Sequence, residues 1–347
     1  MTGDTTLNRL RRYLHDNPNS RHLRAAPSQT EQWEMLSEAQ QTMPDETVST
    51  LQVIEHEEMR AVPVPSPTES SALRYFLDGI QRPRILYYDG IVPVAYAYLS
   101  AVVRSRVDRM MCCPQAQGIP SKVHNEALYA PQNAIDAAGL RQYGIPIRDT
   151  NVGTPLPPHS VLIQKAAERI SNDRDQLERD LTVTWANWLQ QKSPESWLVV
   201  DGGIGKIRVN QPGVRLMGLA KTSVGVERIL NPDYSRTVYG LARGERSSVF
   251  AVNRPEQEPV YSWFLRLHDA SRGNLLFGLI RVEIPQHDHL MQQVNNLSAW
   301  LLEERVPLSV PDVRYDRLLY PMRDCEQYLR ATAPSHAQLE ALAQMIR

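Results

Sequence analysis

From Leu73 onward the chain alternates short apolar runs with turn residues. LRYFLDGI, RILYYDGIVPVAYAYLSAVV, RMMCCP and EALYAP have the β-branched and aromatic content of strands and predict the start of a sheet. Residues 131–158 carry loop signals (YGIPIRDTNVGTPLPPHS). Val161 to about Gln191 then holds neither Pro nor Gly and repeats apolar residues at helical spacing. That pattern predicts a long helix, with SNDRD as the place where it would break. WLVVDGGI reads as a short strand, and RLMGLAKTS, RTVYGLARG, SVFAVN, VYSWFLRLHD and LLFGLIRVEIP predict four or five more. HLMQQVNNLSAWLLEERV predicts a helix, and a polar loop followed by SHAQLEALAQMIR closes the chain. Strands, then a long helix, then a strand–helix mixture predict an α/β fold with a mixed sheet flanked by helices.

Residues 1–65 have a different texture, polar and rich in Gln, Glu, Ser and Thr. Two helical patches, LNRLRRYL and TEQWEMLSEAQQTM, precede the linker-like VPVPSPTESS. The expected organisation is an N-terminal helical arm and linker over 1–65 and a main domain over 66–347.

The chain has 347 residues and is 42% hydrophobic, enough for a substantial core. No apolar run approaches the roughly 18 residues of a membrane span, and the N-terminus lacks the apolar centre of a signal peptide, so a cytoplasmic location is expected. Three cysteines, two of them adjacent (Cys112, Cys113), offer neither a disulfide framework nor zinc-type spacing. Formal net charge is -1, so no global field announces a polyanionic partner. Lysine occurs only at 122, 165, 192, 206 and 221, leaving the basic residues mostly arginine, the better fork for phosphate oxygens.

Asp78 and Asp201 each follow an apolar run and precede glycine, as if two strands ended in Asp-Gly. Each is a turn residue by its dipeptide alone. On neighbouring strands, however, two such carboxylates would emerge at one sheet edge, where they share a proton or bind a divalent cation. Glu178, in RDQLERDLTVTWANW, shares a helical face with Leu181, Trp185 and Trp188 and points toward the sheet, whereas Asp180 faces outward. Lys221 follows an apolar strand, reaching either solvent or a scissile phosphate. Arg281 and Glu283 lie on one side of RVEIP, as a salt bridge or as a phosphate contact with its partner. The HDH at 287–289 is better read as a helix N-cap than as a metal motif, because i and i+2 histidines diverge on a helix. Gly202, Gly203 and Gly205 with Lys206 fit neither phosphate-loop spacing.

Taken in order, FLDGI, a helical glutamate, LVVDGGI, GLAKTS, WFLRL and IRVEIP resemble the NurA family of nucleases over about residues 73–330. The resemblance implies an RNase H-like core, divalent metal (Mn2+, or Mg2+), and 5′ end resection of DNA, with exonuclease and possible endonuclease activity, in repair or defence. It also implies a homodimer working with a HerA-like hexameric ATPase. Carried onto this sequence, Asp78 matches the first-strand aspartate, Asp201 the aspartate of the DG motif, Glu178 the helical glutamate and Lys221 the basic position of the KxS segment. A family histidine near the C-terminus has no counterpart in LLYPMRDCEQYL, where Asp324 or Glu326 occupies the neighbourhood. The chemistry is consistent: phosphodiester hydrolysis by two cations about 4 Å apart needs hard oxygen ligands, which Asp78, Glu178 and Asp201 would supply, with Lys221 and Arg281 on the substrate phosphate. Two alternatives stand beside it, a catalytically degenerate nuclease-fold subunit that binds DNA or docks on an ATPase, and a phosphotransferase of the actin-like class.

Overall fold

The computed structural model describes residues 5–17, 23–26, 50–107, 110–209, 213–221, 230–270, 275–305 and 319–344. In chain order they form α1 (Thr6–Asp16), β1 (Leu23–Ala25), β2 (Thr50–Val53), β3 (Ala61–Pro63), β4 (Leu73–Asp89), β5 (Val92–Val107), β6 (Met110–Cys112), β7 (Lys122–Ala130), α2 (Ala137–Gln142), β8 (Ile147–Asp149), α3 (His159–Lys192), β9 (Trp197–Asp201), β10 (Leu216–Lys221), α4 (Pro232–Tyr239), β11 (Glu245–Ser247), β12 (Phe250–Asn253), β13 (Val260–Arg266), β14 (Leu279–Pro285), α5 (Asp288–Met291), α6 (Val294–Glu304), α7 (Tyr320–Thr332) and α8 (His336–Gln344). The strands make one sheet in the order β2-β12-β13-β14-β10-β9-β4-β5-β7-β8, with β1, β3, β6 and β11 paired beside this path. It is the mixed α/β sheet flanked by helices that the sequence predicts. Among the described residues no helix is long and apolar enough to cross a membrane.

The long β4 and β5 form a hairpin closed by Gly90 and Ile91, with Gly90 at φ +60°, the left-handed conformation that a tight two-residue turn requires at its first position. β5 pairs antiparallel with β4 and β7, while β9 runs parallel to both β4 and β10. The crossover from the β7 side of this group to β9 is α3. On its face of the sheet, Leu181, Trp185 and Leu189 of α3 pack with Leu77, Val103, Leu198 and Val200. On the other face, Phe76, Val102, Trp197 and Val199 join a core with Leu297 and Trp300 of α6 and Met322, Cys325 and Leu329 of α7. Trp185 is fully buried, and its indole N–H donates to Pro120 O at 2.9 Å.

Several sequence expectations change. α3 runs unbroken through SNDRD. Its buried residues stop at Ile170 and resume at Leu181, so the polar stretch is a change in what the helix faces and not a break. RTVYGLARG, expected as a strand, begins inside α4, which ends at Tyr239, because Asn231 caps Tyr234 N–H at 2.8 Å and Pro232 opens the first turn. Within the polar loop expected before the last helix, Tyr320–Thr332 form α7, again begun by a proline in its first turn. HLMQQVNNLSAWLLEERV is divided between α5 and α6. Within 1–65, LNRLRRYL forms α1, whereas TEQWEMLSEAQQTM lies outside the described residues. The same segment contributes β1 to β4, β2 to β12 and β3 to β11, strands of three or four residues too short to show a period.

Glu55, between β2 and β3, anchors that segment. Arg246, only 1% exposed, donates from both terminal nitrogens to the Glu55 carboxylate at 2.7 and 2.6 Å, and also to Asn295 Oδ1 of α6 at 2.8 Å. Burial pushes the Glu55 carboxyl up, but the Arg246 hydrogen bonds and charge outweigh it and hold the group below its ordinary value. A depressed folded-state value makes stability that is present above about pH 4.5 and lost as acid protonates the folded carboxylate. Glu55→Gln is therefore expected to flatten the acid limb of thermal stability below about pH 5. Glu55→Ala, which leaves Arg246 buried without its carboxylate, should cost about 3–5 kcal/mol in urea unfolding at neutral pH.

Candidate functional site

Asp201 is the last residue of β9, and the chain leaves the strand through Gly202 at φ +102°. Gly202 N–H donates back to Leu219 O of β10 at 2.9 Å. Ile204 N–H donates to Glu283 Oε2 at 2.9 Å, and a Cβ on Gly203 would come within 2.8 Å of the same oxygen. Glu283 is fully buried and ion-paired with Arg281 at 2.9 Å, with Arg254 at 3.8 Å. Burial pulls the Arg281 guanidinium down, and the Glu283 charge opposes it. The Arg281–Glu283 pair therefore braces the loop behind Asp201. Arg281 is 9% exposed with its charge turned to Glu283, which places it as support and not as a phosphate contact.

Asp78 does not end a strand: β4 continues through Gly79 to Asp89. The Leu77–Val200 pairing puts Asp78 and Asp201 at the next step of the two parallel strands. Asp78 is 8% exposed, and its Oδ1 accepts from Gly79 N–H at 2.8 Å. It stands on the strand side of Phe76 and Ile80, toward α7. There burial, then the Asp78 charge, push the Cys325 thiol well above its ordinary value, and Cys325 Sγ donates to Phe76 O at 3.4 Å.

Glu178 approaches from α3 and lies directly over Gly79, where any Cβ would overlap its Oε1. The glycine after Asp78 is thus a cradle for the helical glutamate, not a strand exit. Glu178 is 19% exposed, inward as its helical phase predicts, while Asp180 is exposed. Glu178 and Asp201 line a single concavity of about 220 Å³ with Arg174, Asp175, Arg179 and Lys206. Arg174 Nη2 is 2.7 Å from Asp175 Oδ1 and its Nε 3.5 Å from Glu178 Oε1. Burial lowers the Arg174 guanidinium, but Glu178, Asp175 and the more distant Asp201 outweigh that and raise it. Among the described residues no three His, Cys, Asp or Glu side chains are grouped closely enough to grip a metal ion.

Lys221 ends β10 opposite Ile280, two residues beyond the Leu219–Asp201 pairing, and its side chain lies outside what the structure describes. The C-terminal candidates are engaged elsewhere on α7: Asp324 accepts from Arg104 Nε at 2.6 Å, and Glu326 pairs with Arg330 at 2.7 Å. His287 takes the N-cap position of α5, but without a side-chain cap bond. The His287 and His289 rings do not diverge; they stack at 5.9 Å, because His287 is extended and precedes the helix. Arg174, Asp175 and Arg179 escaped the sequence reading, although the four-residue spacing of Arg174 and Glu178 marks one helical face. Lys206 was visible only as part of a phosphate loop that is not there.

Oxygen donors of this kind suit a hard divalent cation, although only two of the three carboxylates, Glu178 and Asp201, line one opening. All three carboxylates offer oxygen, and the Gly79 cradle leaves Glu178 room beside the strand of Asp78. No protein-family model and no curated protein matches the chain.

The two close-approach glycines separate the site from its frame. A Cβ on Gly218 would lie 2.6 Å from the backbone oxygen of Gly202, which cannot turn away, whereas one on Gly79 meets only the end of the Glu178 side chain. Gly218→Ala is expected to cost about 1–3 kcal/mol in urea unfolding, and Gly79→Ala under about 1 kcal/mol because the glutamate swings aside. The opposite order would show that Glu178 is held fast over Gly79 and cannot swing aside.

Proposed function

We propose that the chain is a divalent-metal-dependent nuclease with an RNase H-like core, using Asp78, Glu178 and Asp201 as its carboxylates. The observation that carries this reading is the wiring around them. β7, β5 and β4 form an antiparallel meander continued by the parallel β9 and β10, with α3 as the crossover. In that wiring one carboxylate sits on the central strand, one at the end of the neighbouring parallel strand, and one on the crossover helix. Two of these acids, Glu178 and Asp201, open on one concavity, an arrangement that is costly unless something positive belongs between them.

A bound divalent cation would supply the chemistry of phosphodiester hydrolysis, polarising a phosphoryl oxygen and making water nucleophilic at neutral pH. The chain's part is to hold and orient. Glu178 and Asp201 line the concavity, and Asp78, one step beyond Leu77 on β4, would join them once its carboxylate turns from the α7 side. The Glu283–Ile204 bond fixes the loop that carries Asp201. Arg179 and Lys206 at the opening would meet the phosphate backbone, with Lys221, the last residue of β10, as a further candidate. The substrate is DNA, engaged at its ends. In the proposed assembly a homodimer receives duplex from a HerA-like ATPase ring, which suits a protein whose near-neutral charge gives little unaided hold on a polyanion.

The alternative, an inactive nuclease-fold subunit that binds DNA or docks on the ATPase, is favoured by the Arg174–Glu178 pair and by the lack of a closed group of three ligands among the described residues. End-labelled linear DNA incubated with manganese, magnesium or EDTA separates the two. The expected result is cleavage that needs the metal and falls at least about a hundredfold in Asp78→Ala and Asp201→Ala. Cleavage in EDTA, or full activity in both variants, overturns the nuclease.

A further inference from the structure

Arg174 stands one helical turn before Glu178, on the side of α3 that turns polar where the apolar stripe lapses. Its place is not explained by helix stability, since arginine preceding glutamate is the weaker order of an i,i+4 pair against the helix dipole. Nor is it fixed as the framework arginines are. Arg266 is fully buried and donates to the carbonyls of Leu241, Phe277 and Tyr239 at 3.1, 2.7 and 2.9 Å. Arg174 is one-third exposed; its hydrogen bonds run to Asp175 Oδ1 at 3.3 and 2.7 Å, and its Nε faces Glu178 from 3.5 Å. The concavity as a whole is balanced, with Arg174, Arg179 and Lys206 against Asp175, Glu178 and Asp201. A divalent cation entering there adds two charges beside a guanidinium that already faces Glu178, so the two positive groups repel and compete for that carboxylate.

Building on the nuclease reading, we infer that Arg174 is the exchangeable counter-cation of this site: it pairs with Glu178 until a divalent cation takes that carboxylate, and its released guanidinium then binds a phosphate oxygen of the nucleic-acid backbone. The planar fork of arginine suits that second role as well as the first. The long side chain allows the exchange without moving the helix. The site is thereby protected in the metal-free protein from the repulsion of its own acids, and metal binding is coupled to substrate binding through one side chain.

Titration calorimetry of manganese into the full-length protein tests this, using wild type, Arg174→Gln, Arg174→Met, Arg174→Lys, Arg179→Gln and Glu178→Gln, with circular dichroism to confirm that each is folded. Arg174→Gln and Arg174→Met are expected to bind manganese roughly tenfold more tightly than wild type, the competitor having been removed. Arg174→Lys and Arg179→Gln should stay within about threefold of wild type, and Glu178→Gln should weaken binding at least about tenfold. With calcium in place of manganese, anisotropy of labelled DNA across a salt series should show a slope smaller by about one in Arg174→Gln. Equal or weaker manganese binding in Arg174→Gln and Arg174→Met, with binding intact in wild type, overturns the exchange and leaves the nuclease reading standing. No manganese binding in wild type or either Arg174 variant defeats both.

Discussion

A strand pair buried on both faces has to be covered on both, and β4 with β5 is that pair. The residues of β5 from Val92 to Ser105 are all buried, and β4 alternates Phe76 toward α7 with Leu77 toward α3. Helices on both sides are therefore obligatory, and the chain supplies α3 from its middle and α6, α7 and α8 from its end. Polar residues of β4 are drawn inside by the same constraint and must be met there. Arg82 donates to the carbonyls of Pro334 and Arg330 at 2.8 and 3.0 Å, closing the end of α7. Arg84 faces Glu340 of α8 at 3.9 Å. Asp78 belongs to this series of buried polar groups, which is why it sits in the middle of a strand.

Arginine serves the interior as much as the surface. Arg246, Arg266 and Arg281 are all buried; the first two join segments distant in sequence, and Arg281 pairs with Glu283 on its own strand. One guanidinium offers five donors in a rigid plane, so it can satisfy several carbonyls or a carboxylate at once, which an ammonium cannot do as a fixed fork. For Arg266 burial is the dominant influence and pulls the group down, but its carbonyl partners supply the hydrogen bonds that make burial tolerable. The arginine-rich composition thus reflects in part an internal framework, and only a remainder is available to phosphates.

What the sequence revealed and what it hid follow from range. Asp201 was legible because WLVVDGGI contains both the strand and its exit, and the inward phase of Glu178 because Leu181 and Trp185 lie on the same helix. Asp78 looked like a strand end because Asp-Gly is a turn dipeptide, while the real demand on Gly79 comes from Glu178, about a hundred residues away. RTVYGLARG has strand residues but is governed by the Asn231 cap and Pro232 just before it. LLYPMRDCEQYL looked like a loop because of a proline that in fact starts α7. The Arg281–Glu283 salt bridge was one of two readings open at RVEIP, whereas the role of Asp324 was hidden, since the sequence cannot show that Arg104 claims it first.

The unbroken α3 imposes a rule on how this chain can vary in length. Its 34 residues make a rod of about 51 Å, held at one end by His159 against Ile91 O of the hairpin turn at 3.1 Å and packed along β5 and β9 by Ile163, Trp185 and Leu189. Each residue advances the helix by about 100°, so one residue inserted between Ile170 and Arg174 would rotate Glu178 and Trp185 together away from the sheet, or else turn Ile163 and Ile170 out of the core. Neither end can absorb the change. Related chains are free to lengthen or shorten their loops, but the interval from Ile170 to Trp185 has to keep its count, because it sets the angular position of the glutamate relative to the sheet.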